Sequence, residues 1–379
     1  MECTLYLTEG CNLQCRYCYE GNQKKNRMMD KETVEDALEY ITQNVSGNEK
    51  IHLFLLGGEP LLNKPAFFHV IDTIQNRYAD ICEKFLIEMT TNGTLMDEDI
   101  MKIVRDEKID LSISIDGKKE THEMNRVSID GKENFPVVLK NISKMIILKI
   151  PFNIRMTVSN NNVKKLYENV AYFFEMGVKR VYISYDYFAD WTENELSILD
   201  RQMKMLDELY LDEIANADEH ILNLYDFKYT TFLAKRPIEF CSAGSIGHFI
   251  VNCDGDIFPC GYVTNEESWK IGNINNGING SVFRKCVKKN VNQKFSCKSC
   301  KIAFTCLATR CGFLNYRTTG LLNKPKNTVC KLEHILYEHN LRVFQELYRR
   351  KAPKIMKYIE IAKEYGLEPN DCVKHMVAV

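Results

Sequence analysis

The sequence lacks the features that would place the protein in a membrane, in a secretory pathway or on nucleic acid. It has no run of about 20 apolar residues, so no helix is expected to span a bilayer. Its first residues have neither the basic nor the apolar region of a secretion signal. The formal net charge is only −1, which favours neither nucleic acid nor a membrane surface. We therefore expect a cytoplasmic protein with no nucleic-acid or membrane partner.

Cysteine, by contrast, is abundant. The chain has 15 cysteines, which in a protein without a secretion signal indicates metal or redox chemistry rather than disulfides. Cys11, Cys15 and Cys18 are separated by three and then two residues, with no histidine close by. Such a triplet predicts an iron–sulfur cluster with one open iron, because a cubic cluster normally takes four cysteines. A zinc knuckle or three ordinary buried cysteines are the alternatives.

Strand and helix patterns alternate through the first half of the chain. Apolar strands are predicted at residues 4–8, 51–56, 85–90, 111–115, 152–158 and 181–185. Helices are predicted between them at residues 30–45, 64–78, 97–106 and 137–147, with a further helix at 163–176. This alternation predicts an α/β fold with a parallel sheet and right-handed crossovers.

Short motifs follow several of these strands, where the active sites of βα barrels lie. Gly57, Gly58 and Glu59 follow the second strand, where two glycines permit close backbone approach and the carboxylate can accept a ligand ammonium. Asn92 follows the third strand and Ser114 lies at the end of the fourth. Taken alone, each motif is explained equally well by a turn or loop.

The triplet and these motifs, in this order, resemble the radical S-adenosylmethionine (SAM) superfamily. The resemblance implies a partial (β/α)6 barrel in which the open iron chelates SAM and yields a 5′-deoxyadenosyl radical. It implies that Tyr17 lies against the adenine and that Gly57, Gly58 and Glu59 grip the amino group. The remaining implied SAM contacts are Asn92, which lies near SAM or the substrate, and Ser114 and Arg126, which hold its ribose and carboxylate.

Residues 187–236 are interpreted as a charged helical bridge, clearest at 195–214, and a cysteine-rich segment follows. Met203, Met205, Leu206, Leu209 and Leu211 are interpreted as a core stripe of that bridge. The segment from residue 241 to 330 is expected to be a small, ligand-stapled domain, and a helical tail is predicted after it. A structural zinc site is the simple alternative for these cysteines.

The second half resembles the SPASM domain of peptide-modifying radical SAM enzymes, which carries two auxiliary 4Fe–4S clusters. The resemblance assigns the outer cluster to Cys297, Cys300, Cys306 and Cys330. It assigns the inner cluster to Cys241, Cys260 and Cys311. The usual fourth inner ligand is replaced by Gly247, which leaves either an open iron or ligation by Cys253; we favour a packed thiol for Cys253. Cys3, Cys82, Cys286 and Cys372 are expected to be ordinary thiols.

We therefore predict a radical SAM/SPASM peptide maturase that uses SAM and three 4Fe–4S clusters to install a thioether in a precursor peptide. The predicted domains are the partial barrel at 1–186, the helical bridge at 187–236, the SPASM domain at 237–335 and the tail at 336–379. An anaerobic sulfatase maturase is the first alternative, although such enzymes carry an aspartate base at the position of Gly261. A non-catalytic electron-transfer or zinc-binding protein is the second.

The expected partners are the precursor peptide and an electron donor such as flavodoxin or ferredoxin. Related maturases often have a precursor-binding domain before the barrel, whereas the first predicted strand here begins close to Met1. We expect the precursor to be recruited by the helical tail, by a separate protein or by the barrel itself.

Overall fold

We describe the protein from a computed structural model. The structure describes residues 1–21, 26–216, 219–234, 243–282 and 299–367, together with residues 241, 284, 297 and 374. Its strands are β1 (Glu2–Thr8), β2 (Leu13–Cys15), β3 (Ile51–Gly57), β4 (Phe85–Thr91), β5 (Asp110–Ser114), β6 (Arg126–Ser128), β7 (Asn153–Val158), β8 (Arg180–Tyr185), β9 (Ile221–Leu222), β10 (His248–Val251), β11 (Asp256–Phe258), β12 (Gly272–Asn273) and β13 (Gly277–Ile278).

The α-helices are α1 (Lys31–Asn44), α2 (Lys64–Asn76), α3 (Glu98–Asp106), α4 (Lys119–Asn125), α5 (Phe135–Ile147), α6 (Leu166–Glu175), α7 (Glu193–Asp212), α8 (Asn223–Leu233), α9 (Gly312–Thr319), α10 (Asn327–Arg349) and α11 (Pro353–Glu364). Within the described ranges, none of the helices combines the length and the apolar character needed to cross a bilayer.

The first of two compact units contains Met1–Ile115, His122–Asn153 and the described residues between Ser242 and Asn292. Its main sheet has the strand order β13–β12–β11–β10–β1–β3–β4–β5. The strands from β10 to β5 in this order are parallel, whereas β10 to β13 form antiparallel pairs. At its centre Cys3 lies between Leu53 and Phe249 and is fully buried.

Helix ends in this unit follow local capping chemistry. The Asp30 side chain accepts a hydrogen bond from Thr33 N at 2.8 Å and caps α1. Asp97 caps α3 in the same way through Ile100 N at 2.9 Å. Aspartate is favoured at such positions because it satisfies a backbone N–H that the helix cannot pair. Asp30 and Asp97, the first residues of two predicted helices, are thus the N-caps that directly precede α1 and α3.

A separate two-stranded antiparallel ribbon, β2 with β6, holds the cysteine triplet. Gln14 lies opposite Val127, and Cys15 lies opposite Arg126. Arg16 N donates to Asn125 O at 2.9 Å and extends the pairing beyond Cys15. The sequence pattern did not predict this ribbon, because its strands are three residues long and lie far apart in the chain.

The second unit contains Asp116–Thr121, Ile154–Cys241 and the described residues between Gln293 and Val379. Strands β7, β8 and β9 are parallel neighbours, and α7 and α8 pack with α10. The buried rings of Tyr210 and Tyr225 lie 4.6 Å apart. Asp207 is also buried, and it accepts from Tyr225 Oη at 2.6 Å while lying 2.6 Å from His339 Nδ1.

The predicted strand–helix alternation is confirmed, with most boundaries within one or two residues, and the fold is a mixed α/β fold with helices near its C-terminal end. The described strands do not close into a barrel. One residue of the predicted core stripe is wrong: Met205 is 44 % exposed, because α7 turns its Met203 and Leu206 face inward.

The compact units follow packing rather than the predicted domain limits. Described residues on the two sides of position 292 belong to different units. The part up to position 282 joins the first unit because β10 pairs with β1. The boundaries at 186, 236 and 335 therefore stay predictions, and residues 235–240 lie outside the described ranges.

Candidate functional site

The cysteine triplet lies directly after β1, in a loop that β2 closes. Leu13 N donates to Cys11 Sγ at 3.4 Å, and Cys18 N donates to Cys15 O at 3.1 Å, which turns the chain back on itself. All three cysteines are half-buried. No three cysteine, histidine, aspartate or glutamate side chains among the described residues are already arranged around one point as metal ligands. Cluster ligation by the triplet therefore stays a prediction.

Tyr17 and Arg126, two of the predicted SAM contacts, lie together beside this loop. The Arg126 guanidinium carbon is 5.4 Å from the centre of the Tyr17 ring, which is cation–π distance. Arg126 is buried, and its carbonyl accepts from Asn134 Nδ2 at 2.7 Å. The β2–β6 ribbon thus brings together two predicted SAM contacts that lie more than a hundred positions apart in the sequence.

Gly57 and Gly58 permit a close backbone approach, as predicted, and the approaching backbone is that of the cysteine loop. A Cβ atom on Gly57 would lie 2.0 Å from Thr8 O, and one on Gly58 would lie 2.2 Å from Gly10 O. Gly57 also has a φ of 138°, which favours glycine. Gly58 N donates to Thr8 O at 3.0 Å and Glu59 N to Gly10 O at 2.8 Å. The two glycines therefore bring β3 against the residues just before Cys11.

Glu59 is fully buried beneath this loop, and its carboxylate has protein donors around it. It accepts from Thr91 Oγ1 at 2.6 Å, from Asn92 N at 2.7 Å and from Leu61 N at 3.2 Å. Burial raises the pKa of Glu59 to about 7, although these hydrogen bonds lower it. Glu59 thus ties the end of β3 to the end of β4, and a direct contact with the SAM amino group stays a prediction.

Asn92 connects the third strand to the triplet through a residue that the sequence analysis did not single out. Asn92 Nδ2 donates to Asn12 Oδ1 at 2.8 Å, and Asn12 Nδ2 donates to Thr94 Oγ1 at 2.8 Å. Thr94 N and its hydroxyl both donate back to Asn92 Oδ1. Asn12 lies inside the triplet, so the amide pair fixes the loop from within. Its position between Cys11 and Leu13 was the only signal available.

Ser114 is the last residue of β5 and is half-buried. The neighbouring strands β1, β3 and β4 end at Thr8, Gly57 and Thr91. Parallel strands that pair in register end at one edge of the sheet. Ser114 and the motifs after these strands therefore belong to the C-terminal edge, where active sites of βα folds lie.

The four cysteines predicted to bind the outer cluster all lie in the second unit. Cys300 N donates to Cys297 O at 3.0 Å, so these two residues share a tight turn. Burial raises the pKa of Cys330, and the nearby thiols of Cys297 and Cys300 raise it further. Burial also raises the pKa of Cys306 to about 12, with smaller contributions from Glu333 and Cys330. Cys330 thus lies near each of the other three thiols, and their joint ligation of a 4Fe–4S cluster stays a prediction.

The cysteines predicted to bind the inner cluster are divided between the units. Cys311 precedes α9, and burial raises its pKa to about 11, while the neighbouring Cys241 adds to this rise. Cys260 belongs to the first unit and lies two residues after β11. Their shared ligation stays a prediction. Among the remaining cysteines, Cys3 is fully buried, whereas Cys286 and Cys372 lie outside the described residues.

Cys253 is a packed thiol in the first unit. It is 5 % exposed, and its Sγ lies 3.3 Å from Tyr6 O and 3.6 Å from Arg27 O. Carbonyl oxygens only accept hydrogen bonds, so these contacts require the protonated thiol. Burial, with a smaller contribution from Glu9, raises the pKa of Cys253 to about 12.

A cysteine loop and glycine-rich strand ends at one edge of a parallel sheet are the site of a cofactor-dependent α/β enzyme. The family model of the radical SAM superfamily matches residues 5–201, and the chain belongs to that superfamily. An uncharacterised protein of Methanocaldococcus jannaschii is 32% identical over 275 residues, covering 72% of this chain and 87% of its own length.

Relatives with a described activity include maturation enzymes. A cysteine-type anaerobic sulfatase-maturating enzyme of Clostridium perfringens is 25% identical over 318 residues, covering 78% of this chain and 84% of that protein. The sporulation killing factor maturation protein SkfB of Bacillus subtilis is 23% identical over 261 residues, covering 69% of this chain and 60% of SkfB. The chain is thus a radical SAM enzyme among maturases.

Solved structures show the same fold. Native anSMEcpe with bound AdoMet and Cp18Cys peptide superposes with a TM-score of 0.75 at 21% identity, covering 95% of this chain and 98% of that one. Streptococcus suis SuiB superposes with a TM-score of 0.59 at 17% identity, covering 87% of this chain and 76% of SuiB. The partial barrel with a SPASM-type second half is therefore the fold of this protein.

The residues present fit the cofactors of the superfamily, which are SAM and the 4Fe–4S cluster that binds it. The triplet supplies three half-buried thiols, which suit iron, and the Tyr17 ring and Arg126 lie beside them. When bound, SAM and its 4Fe–4S cluster supply a 5′-deoxyadenosyl radical. The protein's own part is to hold the triplet loop through Gly58, Glu59 and Asn92 and to position the substrate.

Proposed function

We propose that this enzyme modifies a ribosomally made precursor peptide by joining a cysteine sulfur to a carbon of another residue. The peptide class is supported by relatives such as SkfB and by SuiB, whose structure is also known bound to the precursor peptide SuiA. Three 4Fe–4S clusters are part of this proposal: one at the triplet and two in the second half of the chain. Flavodoxin or ferredoxin would supply the electrons.

The observation that carries the thioether assignment is the surroundings of Gly261. Sulfatase maturases carry an aspartate base at this position, directly after the cysteine that corresponds to Cys260. Here a Cβ atom on Gly261 would lie 2.8 Å from Tyr6 Oη. Tyr6 is 3% exposed, and its hydroxyl lies 3.3 Å from that of Tyr19. A Cβ atom at that distance requires the Tyr6 hydroxyl to shift, and the burial of Tyr6 makes this shift costly, so position 261 favours glycine over aspartate.

Cys253 supports the same assignment. Its sulfur is packed against the carbonyl oxygens of Tyr6 and Arg27, and these contacts would have to be given up if Cys253 were the fourth inner ligand. The inner cluster would then have three protein ligands, Cys241, Cys260 and Cys311, and an open position. A peptide thiolate suits such a position because thiolates are natural iron ligands.

Formylglycine formation is the second candidate, and the Clostridium perfringens relative favours it by its coverage of this chain. Both activities would start from a cysteine of the substrate peptide, but they differ in what happens to the sulfur of that cysteine. Thioether formation keeps the sulfur and removes two hydrogen atoms from the peptide: one would go to the 5′-deoxyadenosyl radical, and the other would leave as a proton and an electron that an auxiliary cluster would accept. Oxidation to formylglycine releases the sulfur and leaves an aldehyde.

The test is anaerobic turnover of the reconstituted enzyme with SAM, a reductant and cysteine-containing peptides from neighbouring open reading frames. We expect loss of two hydrogen atoms by mass spectrometry, loss of the free thiol and no product with the Cys→Ser peptide. A product that has lost sulfur and reacts with a hydrazide would establish formylglycine formation and overturn the proposal.

A further inference from the structure

One face of helix α10 carries a cysteine, a glutamate and a histidine close together. Cys330, Glu333 and His334 are three and four residues apart, a spacing that puts side chains on the same side of a helix. Cys330 is a predicted outer-cluster ligand, and the other two reach towards the loop that carries its partners. Besides Cys330, two other side chains of this face therefore contact the segment that carries the remaining predicted outer-cluster cysteines.

The Glu333 carboxylate binds the backbone directly after Cys306. It is 3% exposed, and its Oε2 accepts from Leu307 N at 2.9 Å. Its Oε1 accepts from Tyr187 Oη at 3.0 Å. The residue after Cys306 is thus tied to α10 by a buried carboxylate, and a backbone N–H bonded to a carboxylate is held strongly.

Lys228 on α8 binds the backbone directly before Cys306. Its Nζ lies 3.6 Å from Glu333 Oε2 and donates to Thr305 O at 2.8 Å. The two members of this ion pair therefore hold the residues directly before and directly after Cys306. Both contacts bear on the backbone, so they determine where the Cys306 sulfur can lie.

His334 reaches the sulfur of a second predicted ligand. Its Nε2 lies 3.9 Å from Cys300 Sγ, within hydrogen-bonding range for sulfur. His334 is half-buried. A neutral imidazole with its proton on this nitrogen would donate to a Cys300 thiolate.

We propose that Glu333 and His334 are positioning residues of the outer 4Fe–4S cluster: Glu333 fixes the Cys306 segment, and His334 donates a hydrogen bond to the Cys300 sulfur. The inference rests on the outer cluster of the proposed function. Outer-shell hydrogen bonds and charges tune a metal site as well as orient its ligands. The two residues therefore have opposite effects on the reduction potential of this cluster.

The direction of each effect follows from charge. Reduction adds a negative charge to the cluster, and an N–H donor to a ligand sulfur stabilises that charge. Losing the donor in His334→Leu should lower the midpoint potential, whereas His334→Gln keeps an amide donor and should stay closer to wild type. Removing the nearby negative charge in Glu333→Gln should raise the potential, while the amide oxygen can still accept from Leu307 N.

The test is a redox titration of the full-length reconstituted protein, followed by electron paramagnetic resonance, with iron content measured in each variant. Glu346→Gln is the matched control, because Glu346 is on the same helix but pairs with Arg349 at the surface. We expect a lower potential in His334→Leu, a higher one in Glu333→Gln and no change in the control. A Glu333→Ala variant should lose about four irons per chain, the content of one cluster.

Unchanged potentials in His334→Leu and Glu333→Gln, with full iron content, would overturn the inference and leave the proposed function intact. A shift of both variants in the same direction would overturn it as well. Wild-type protein that holds no iron in the outer site would overturn this inference together with the cluster content of the proposed function. Full iron content in Glu333→Ala would overturn the positioning role of Glu333.

Discussion

At the scale of single residues, the site depends on side chains that hold other residues in place. Glu59 and Asn92 belong to motifs that a sequence reader assigns to SAM, yet their observed partners are protein groups around the triplet loop. Motif position indicated correctly that these residues belong to the site. It did not reveal Asn12 or Tyr6, because their contacts join segments far apart in the chain.

Glu59 makes stability depend on pH in an unusual direction. Its pKa in the folded protein is about 7, above the ordinary value of 4.5. Between these values the folded state keeps a proton that the unfolded chain releases, so the free energy of unfolding falls as pH rises through the window. The full difference corresponds to about 3 kcal/mol. Glu59→Gln should remove this dependence.

Chemical denaturation of the wild type and the Glu59→Gln variant, below and above that window, measures the effect. The exposed Glu120→Gln variant is the control and should keep the wild-type slope. A wild type whose stability does not fall relative to Glu59→Gln as pH rises would contradict the assignment of a buried, readily protonated Glu59.

At the scale of elements, buried strands and capped helices were predictable because their signals are local. The parallel strands appear as short runs rich in apolar residues, in which alternate side chains are buried, as in β3 and β4. The β2–β6 ribbon, α4 and the pairing of β10 with β1 were not predictable, because each depends on partners that no local pattern reveals. The predicted start of α7 near Glu195 lies inside the helix, which begins at Glu193 directly after a capping box at Thr192.

That capping box provides a test at the same scale. Glu195 N donates to Thr192 Oγ1 at 3.3 Å, and Thr192 N donates to Glu195 Oε2 at 2.7 Å. Thr192→Ala should lower the free energy of unfolding by about 1 kcal/mol, because it leaves an N–H of the first turn unpaired. Thr192→Ser keeps the acceptor and should remain near wild type in denaturant titrations. Equal stability of the alanine and serine variants would show that the cap contributes nothing.

At the scale of the whole molecule, the order of motifs predicted the superfamily, but composition could not predict how the chain divides. The cysteine-rich half changes in composition at residue 241 as expected, yet its strands β10 to β13 extend the sheet of the first unit. The segment is too small for an extensive core, so it packs against existing elements. The proposal for this segment is that its cysteines bind two clusters; it does not require the segment to fold as a separate compact unit.

The central claim is that Cys11, Cys15 and Cys18 bind the cluster that cleaves SAM, whereas the other ligands serve auxiliary clusters. The most direct measurement compares 5′-deoxyadenosine formation and iron content in the anaerobically reconstituted wild type and in a variant with all three cysteines replaced by Ala. We predict SAM cleavage and roughly twelve irons in the wild type, and no cleavage with roughly eight irons in the variant. A variant that still forms 5′-deoxyadenosine, or a wild type that holds zinc instead of iron, would contradict the account.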